Sequence, residues 1–301
     1  MTDVSVEKKA LVVGAILNIT MAFSGWFAYY SSNSQSILLD GNYSFISFFV
    51  ILIAIRISII KAQPTEMFPF GQYVYEALYS FAKGIMIVGI LLVAVIMSIT
   101  RISRYLNGSP VDALDTSVVL IYTIAMVLSC VILGLYCRHQ NKKINNSSSI
   151  LRAEYIGAKL DGIISLATGL ALIGIGYVNI EGNFAFVHYI GDAILVFILA
   201  LLLIKEPFEL IRDSFVELAG GTLQNKEEKE KIEKILTEHL TPDLLKKSYI
   251  SKTGSSYFIV AYINGQGIDK IGFEKLEQIK AEILVELKNI HQYAMFEIAI
   301  D

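Results

Sequence analysis

Charge is scarce in this 301-residue chain: 18% of its residues are Asp, Glu, Lys or Arg, where a water-soluble chain of that length carries about a quarter. The shortage is uneven. Residues 11–204 are mostly apolar, whereas Lys and Glu are dense from Asn225 onward, so a lipid-embedded part precedes a soluble part. Cysteine is nearly absent. Cys130 and Cys137 stand on one face of one apolar stretch, two turns apart and too far for a disulfide, and are read as packing residues. There are four histidines, and no HExxH, Gly-rich phosphate loop, nucleophile elbow or Cys/His constellation, which argues against an enzyme and against a resident cofactor. The net charge is −3 with no basic block, so no nucleic-acid partner is expected. Nor does the N-terminus resemble a cleaved leader. Lys8 and Lys9 precede an apolar run with no small-residue cleavage site, which reads as a first membrane helix that is retained.

What is present is hydrophobic length. A bilayer core about 30 Å thick needs roughly 20 apolar helical residues. Six stretches qualify, at about 11–30, 36–60, 75–100, 115–137, 151–178 and 187–205. With a cytosolic N-terminus, the inner flanks hold Lys8, Lys9, Arg56, Lys61, Arg138, Lys142, Lys143, Arg152 and Lys205, and the outer flanks only Arg101 and Arg104. That bias puts both termini in the cytosol. Beyond the last span, 226–240 reads as a helix, 247–251 and 257–263 as strands around Thr253-Gly254-Ser255, 271–287 as an amphipathic helix and 293–300 as a final strand. The fold class is therefore an all-α six-helix transmembrane bundle over residues 1–210. A cytosolic α+β domain of order α-β-β-α-β follows over 211–301.

Ionisable groups inside a bilayer cost several kcal/mol unless paired or hydrated, so each is a functional candidate. Asp40, Glu76, Lys83, Asp161 and Asp192 stand out, with Glu154 and Lys159 nearer the cytosolic half of the fifth span. Asp40 and Ser44 are one turn apart on the second span, and Asp161 and Ser165 repeat that spacing on the fifth. Two helices presenting a carboxylate and a hydroxyl at this interval can form an oxygen-rich cation site where they meet. The alternatives are that Asp40 hydrogen-bonds near the outer end of its helix and that Asp161 pairs with Lys83 or Lys159 as a bundle contact. Glu76 and Lys83, two turns apart, each require a partner on another helix, and structural ion pairs are expected. Glu154 reads as a solvated helix end that could line an access path, and Asn18 as an interhelical hydrogen bonder.

Several local motifs agree with this layout: Ser36-Ile37-Leu38-Leu39-Asp40-Gly41 entering the second span and Phe70-Gly71-Gln72-Tyr73-Val74-Tyr75-Glu76 entering the third. Ala153-Glu154-Tyr155-Ile156-Gly157-Ala158-Lys159-Leu160-Asp161 in the fifth and Gly191-Asp192-Ala193 in the sixth complete the set. In order, spacing and topology the chain resembles the cation diffusion facilitator family. The resemblance implies a secondary transporter that moves a divalent metal cation out of the cytosol, by proton antiport, as a homodimer joined through its C-terminal domain. It implies ligands at Asp40 and Asp161. Ser44 and Gly157 stand where the family's other two ligands are expected, Gln72 replaces a family His, and His239 and His291 fall short of the His-rich clusters of many relatives. A site of Asp40, Asp161, Ser44 and water suits Mn²⁺, Fe²⁺ or Mg²⁺ better than Zn²⁺. The expected partners are thus a divalent cation, protons, the lipid bilayer and a second copy of the chain. The short loops point to a multi-pass protein of a prokaryotic inner membrane. The rival expectation, drawn from the two replaced ligands and the intramembrane lysines, is a transport-inactive relative serving as an interaction or sensory subunit.

Overall fold

The computed structural model describes residues 3–32, 35–108, 116–175, 186–265 and 272–300; the side chains of Ser36, Ile37, Leu38, Leu39 and Asp192 lie outside the described set. The helices are α1 (Asp3–Ser32), α2 (Gln35–Ile60), α3 (Val74–Leu106), α4 (Thr116–Lys143), α5 (Ser149–Ile175), α6 (Val187–Leu203), α7 (Lys205–Leu218), α8 (Lys226–His239) and α9 (Phe273–Ile290), and the strands are β1 (Leu245–Thr253), β2 (Ser256–Ile263) and β3 (Ala294–Ile300). Among the described residues, four helices are long and apolar enough to cross a bilayer, within α1, α2, α3 and α4. Six spans were expected. α5 carries Arg152, Glu154, Lys159 and Asp161 in its first half, and the described α6 is 17 residues long. Both nonetheless pack in the bundle, α5 against α4, α3 and α6, and α6 against α3.

Two local devices set how the helices meet. At the α1–α2 crossing, a Cβ on Gly25 would lie 2.7 Å from the Cα of Gly41, so the absence of side chains permits backbone contact. At the α4–α5 turn, Asn145 and Asn146 take left-handed φ values of 54° and 57°, a conformation Asn tolerates. Asn141 clamps that turn, donating from Nδ2 to the Ser148 carbonyl (3.2 Å) while its Oδ1 accepts from the Ser148 N–H (3.1 Å).

In the C-terminal domain, β1 pairs antiparallel with β2 and β2 pairs parallel with β3, because α9 carries the chain back between them. Alternation places Tyr257, Ile259, Ala261 and Ile263 of β2 on the core face, against Ile232 and Leu236 of α8 and Ile283 and Leu287 of α9. Asn225 caps α8 by accepting from the Glu228 N–H. The expected α-β-β-α-β order holds, with strand ends moved by a residue or two.

His291 stacks on Tyr257 with centroids 3.9 Å apart. Burial first, then the charges of Lys252 and Lys231, lower its pKa from the ordinary value to about 4. The folded domain thus holds a neutral imidazole that takes up a proton on unfolding. Its stabilising contribution is full above the unfolded pKa of about 6.5 and is lost as pH falls toward about 4, at most about 3 kcal/mol. Pulse proteolysis of the full-length protein at pH 7 and pH 4.5 checks this: the C-terminal domain is expected to become cleavable at the lower pH, and His291→Phe to remove that part of the slope.

The β1–β2 turn plugs into one end of the bundle. The Ser255 N–H donates to Glu76 Oε2 (2.7 Å), and Lys61 Nζ donates to Ser255 Oγ (3.0 Å) and Glu76 Oε1 (3.0 Å) and also bonds Glu7. Gly254 donates from its backbone to Glu217 Oε2 (3.0 Å). At Gly254, φ is +59° and a Cβ would lie 2.5 Å from the Tyr73 carbonyl oxygen, so this tip requires glycine. Lys61, Glu7 and Glu76 are all fully buried.

Candidate functional site

The site candidates converge on α4. Asp40 begins the described side chains of α2, next to the Gly25–Gly41 crossing, and its Oδ2 accepts from the Tyr122 hydroxyl at 2.6 Å. On α5, Gly162 lets that helix approach α4, since a Cβ there would stand 3.1 Å from the Cβ of Cys130. The neighbouring Asp161 Oδ2 lies 3.5 Å from Cys130 Sγ. Tyr122, Met126 and Cys130 are buried together, and their one-turn spacing makes a single stripe along α4. Asp40 and Asp161 address the two ends of that stripe.

Ser44 lies one turn beyond Asp40. It is 1% exposed, and its Oγ has no hydrogen-bond partner. A buried hydroxyl left unpaired costs about 1–3 kcal/mol, so an oxygen-seeking guest or water belongs beside it. Among the described residues neither Asp40 nor Asp161 makes an ion pair. Two carboxylates in a low-dielectric bundle without a bonded countercharge can hold a divalent cation, with Ser44 and water completing the donors. Among the described residues no three His, Cys, Asp or Glu side chains cluster as a metal site, so donors beyond the carboxylates must come from such neutral groups.

The pairing of Asp161 with Lys83 or Lys159 does not occur. Lys83 Nζ bonds Glu154 Oε1 at 3.1 Å, both buried, and Lys159 bonds Glu206 at the start of α7. Glu154 is therefore not a solvated helix end. It is 3% exposed and also accepts from the Tyr79 hydroxyl at 2.5 Å, because α3 covers that face of α5. Glu76 and Lys83 do find partners on other elements, as expected. Gly157 lies beneath Lys83: a Cβ there would be 3.5 Å from Lys83 Cε. Gln72 spends its amide on the Ile60 and Gln63 carbonyls at the end of α2 (3.4 and 3.1 Å). Asn18 bonds the Gly14 carbonyl one turn back in its own helix (2.9 Å) rather than a neighbouring helix.

Tyr122 and Cys130 were not singled out as site residues from sequence. The signal for them was a hydroxyl and a thiol at i and i+8 in the apolar stretch of α4, which also holds Thr123 and Ser129. Cys130 does pack in the core, but it also touches the candidate ligand Asp161.

The sequence profile of the cation efflux transmembrane domain matches residues 11–219. None of the curated proteins compared matches the chain.

Proposed function

Because the chain belongs to the cation efflux family and is a metal-cation transporter of the membrane, we propose that it carries a divalent cation out of the cytosol between α2 and α5. The observation that supports this most directly is the pair Asp40 and Asp161, both facing α4 and neither ion-paired among the described residues, with the unpartnered hydroxyl of Ser44 one turn from Asp40 on α2. The cation binds from the end that bears the C-terminal domain. That end carries the exposed Lys8, Lys9, Arg56, Arg138, Lys142, Lys143 and Arg152, which makes it the cytosolic side and puts both termini there. Six spans, α1 to α6, form the carrier over residues 1–210. Rocking of the helices exposes the cation outside, where protons replace it on the carboxylates and return with the empty carrier.

Residues 211–301 join two copies as a homodimer. The sheet face opposite the α8–α9 layer leaves Tyr249 and Phe258 exposed, which suits a second copy. The membrane is a prokaryotic inner membrane. Reconstitution tests the transport reading: the wild-type protein in proteoliposomes is expected to move Mn²⁺ down its gradient with acidification of the opposite compartment, and no flux above protein-free liposomes overturns it.

Cys130 bears on which cation is preferred. An all-oxygen site favours Mg²⁺ and Mn²⁺, whereas a thiol beside Asp161 adds a softer donor that favours Fe²⁺ and Zn²⁺ over Mg²⁺. Cys130→Ser is expected to lower the ratio of Fe²⁺ or Zn²⁺ flux to Mn²⁺ flux by roughly tenfold, or about 1.4 kcal/mol. Competition flux assays with pairs of ions measure that ratio.

A further inference from the structure

We propose that Lys83 is a tethered counter-cation, whose ammonium passes from Glu154 to Asp161 when the transported cation leaves and yields the site when the next one arrives. This rests on the transport site described above and adds to it a moving part that belongs to the chain.

Three observations carry it. Glu154, Gly157 and Asp161 lie on one stripe of α5, with Asp161 about 10.5 Å along the axis from Glu154. Lys83 bonds Glu154, yet its Cε stands over Gly157, between the two carboxylates. From there Asp161 is one turn away, within the swing of the last staggered torsions of a lysine side chain. A Cβ at Gly157 would stand in ordinary contact with the lysine stem, at 3.5 Å, so the stem lies along α5 at this position.

The charge count agrees. Among the described residues, Asp40, Asp161 and Glu154 are three carboxylates set against the Lys83 ammonium, leaving two negative charges, which one divalent cation cancels. With cargo bound, Lys83 belongs on Glu154. With cargo gone, Asp161 is the carboxylate in reach that lacks a bonded cation. Among the described residues, the other titratable groups near this place are the neutral Tyr43 on α2, Cys137 on α4 and Tyr79 on the lysine's own helix, which donates to Glu154. None of these supplies a second cation. An ammonium that can reach Asp161 competes with the cargo for it.

Competition has a sign that a merely structural ion pair lacks. Mn²⁺ binding to the purified full-length protein in detergent, followed by electron paramagnetic resonance, reads it. Glu154→Gln removes the resting partner of Lys83, leaves the ammonium on Asp161 and is expected to weaken Mn²⁺ binding at least fivefold. Adding Lys83→Met to that variant removes the competitor without stranding a buried carboxylate, and is expected to tighten binding at least tenfold beyond wild type. Lys83→Arg with Glu154→Gln keeps a competing cation and is expected to stay weak. If the double variant Lys83→Met/Glu154→Gln elutes as folded protein and binds Mn²⁺ no more tightly than wild type, the proposal is overturned while the transport site stands. If wild type and every variant fail to bind Mn²⁺ in a way that Asp161→Asn abolishes, both fall together.

Discussion

Replacing Asp161 by Asn is expected to cut divalent-cation flux by at least about 100-fold, the equivalent of about 2.7 kcal/mol of lost cation stabilisation, with Asp40→Asn giving a comparable loss. The carboxamide keeps the shape and hydrogen-bonding reach of the carboxylate but not its charge. At Asp40 the Tyr122 hydroxyl, now 2.6 Å from Oδ2, can still donate to the amide oxygen. At Asp161 the contact with Cys130 is a weak one that contributes little to the fold. Each variant therefore removes half of the negative charge facing the cation while leaving the helix packing at Gly25–Gly41 and Gly162–Cys130 intact. Mn²⁺ flux in proteoliposomes is the measurement, with monodispersity in detergent as the folding control. Flux at the wild-type level in a folded Asp40→Asn/Asp161→Asn variant would remove both aspartates from the transport site.

Lys61→Met is expected to have the largest effect on stability, on the order of 3–5 kcal/mol. Lys61 is the single buried cation between Glu7 and Glu76, with all three side chains shut off from solvent, and it also holds Ser255 of the C-terminal domain. Its loss strands two carboxylates in a dry junction where α1, α2, α3 and the β1–β2 turn meet. The C-terminal domain loses its anchor as well, because Glu76 must then accept from the Ser255 N–H while repelling Glu7. A fall in apparent unfolding temperature on the order of 10 °C and release of the C-terminal domain to protease are expected. Combining Lys61→Met with Glu7→Gln and Glu76→Gln is expected to recover most of the loss, since what destabilises is unpaired buried charge rather than missing contacts. A single variant as stable as wild type would mean that water reaches the junction and solvates the two acids.

Much of the architecture was legible because it depends on quantities that sequence states directly. Apolar length against bilayer thickness marked the helices of the bundle, and the switch from continuous apolarity to period-two alternation at Tyr257, Ile259, Ala261 and Ile263 marked the soluble sheet. Asp40, Asp161 and Ser44 were legible as candidates because polar side chains in apolar helices are costly. Their surroundings were not. Glu154 reads as a helix end until α3 is seen to cover it with Lys83 and Tyr79. Asn18 reads as an interhelical donor until its own helix is found to satisfy it at Gly14. Cys130 reads as packing and does pack, but only the turn of α5 shows that Asp161 meets it. The misreading of Glu154 concerns the rotation and crossing of neighbouring helices.

Sequence by itself determined that this chain carries membrane-length apolar helices and, beyond Asn225, a small α+β domain. Local composition and periodicity suffice for those statements, because they follow from transfer free energies of side chains taken one helix at a time. Only the tertiary structure decided which acids are neutralised and which are not among the described residues of the bundle: Lys61 takes Glu7 and Glu76, Lys83 takes Glu154, Lys159 takes Glu206, and Asp40 and Asp161 are left facing α4. Charges in a medium of low dielectric act by distance and direction between helices, and no spacing along the chain encodes that.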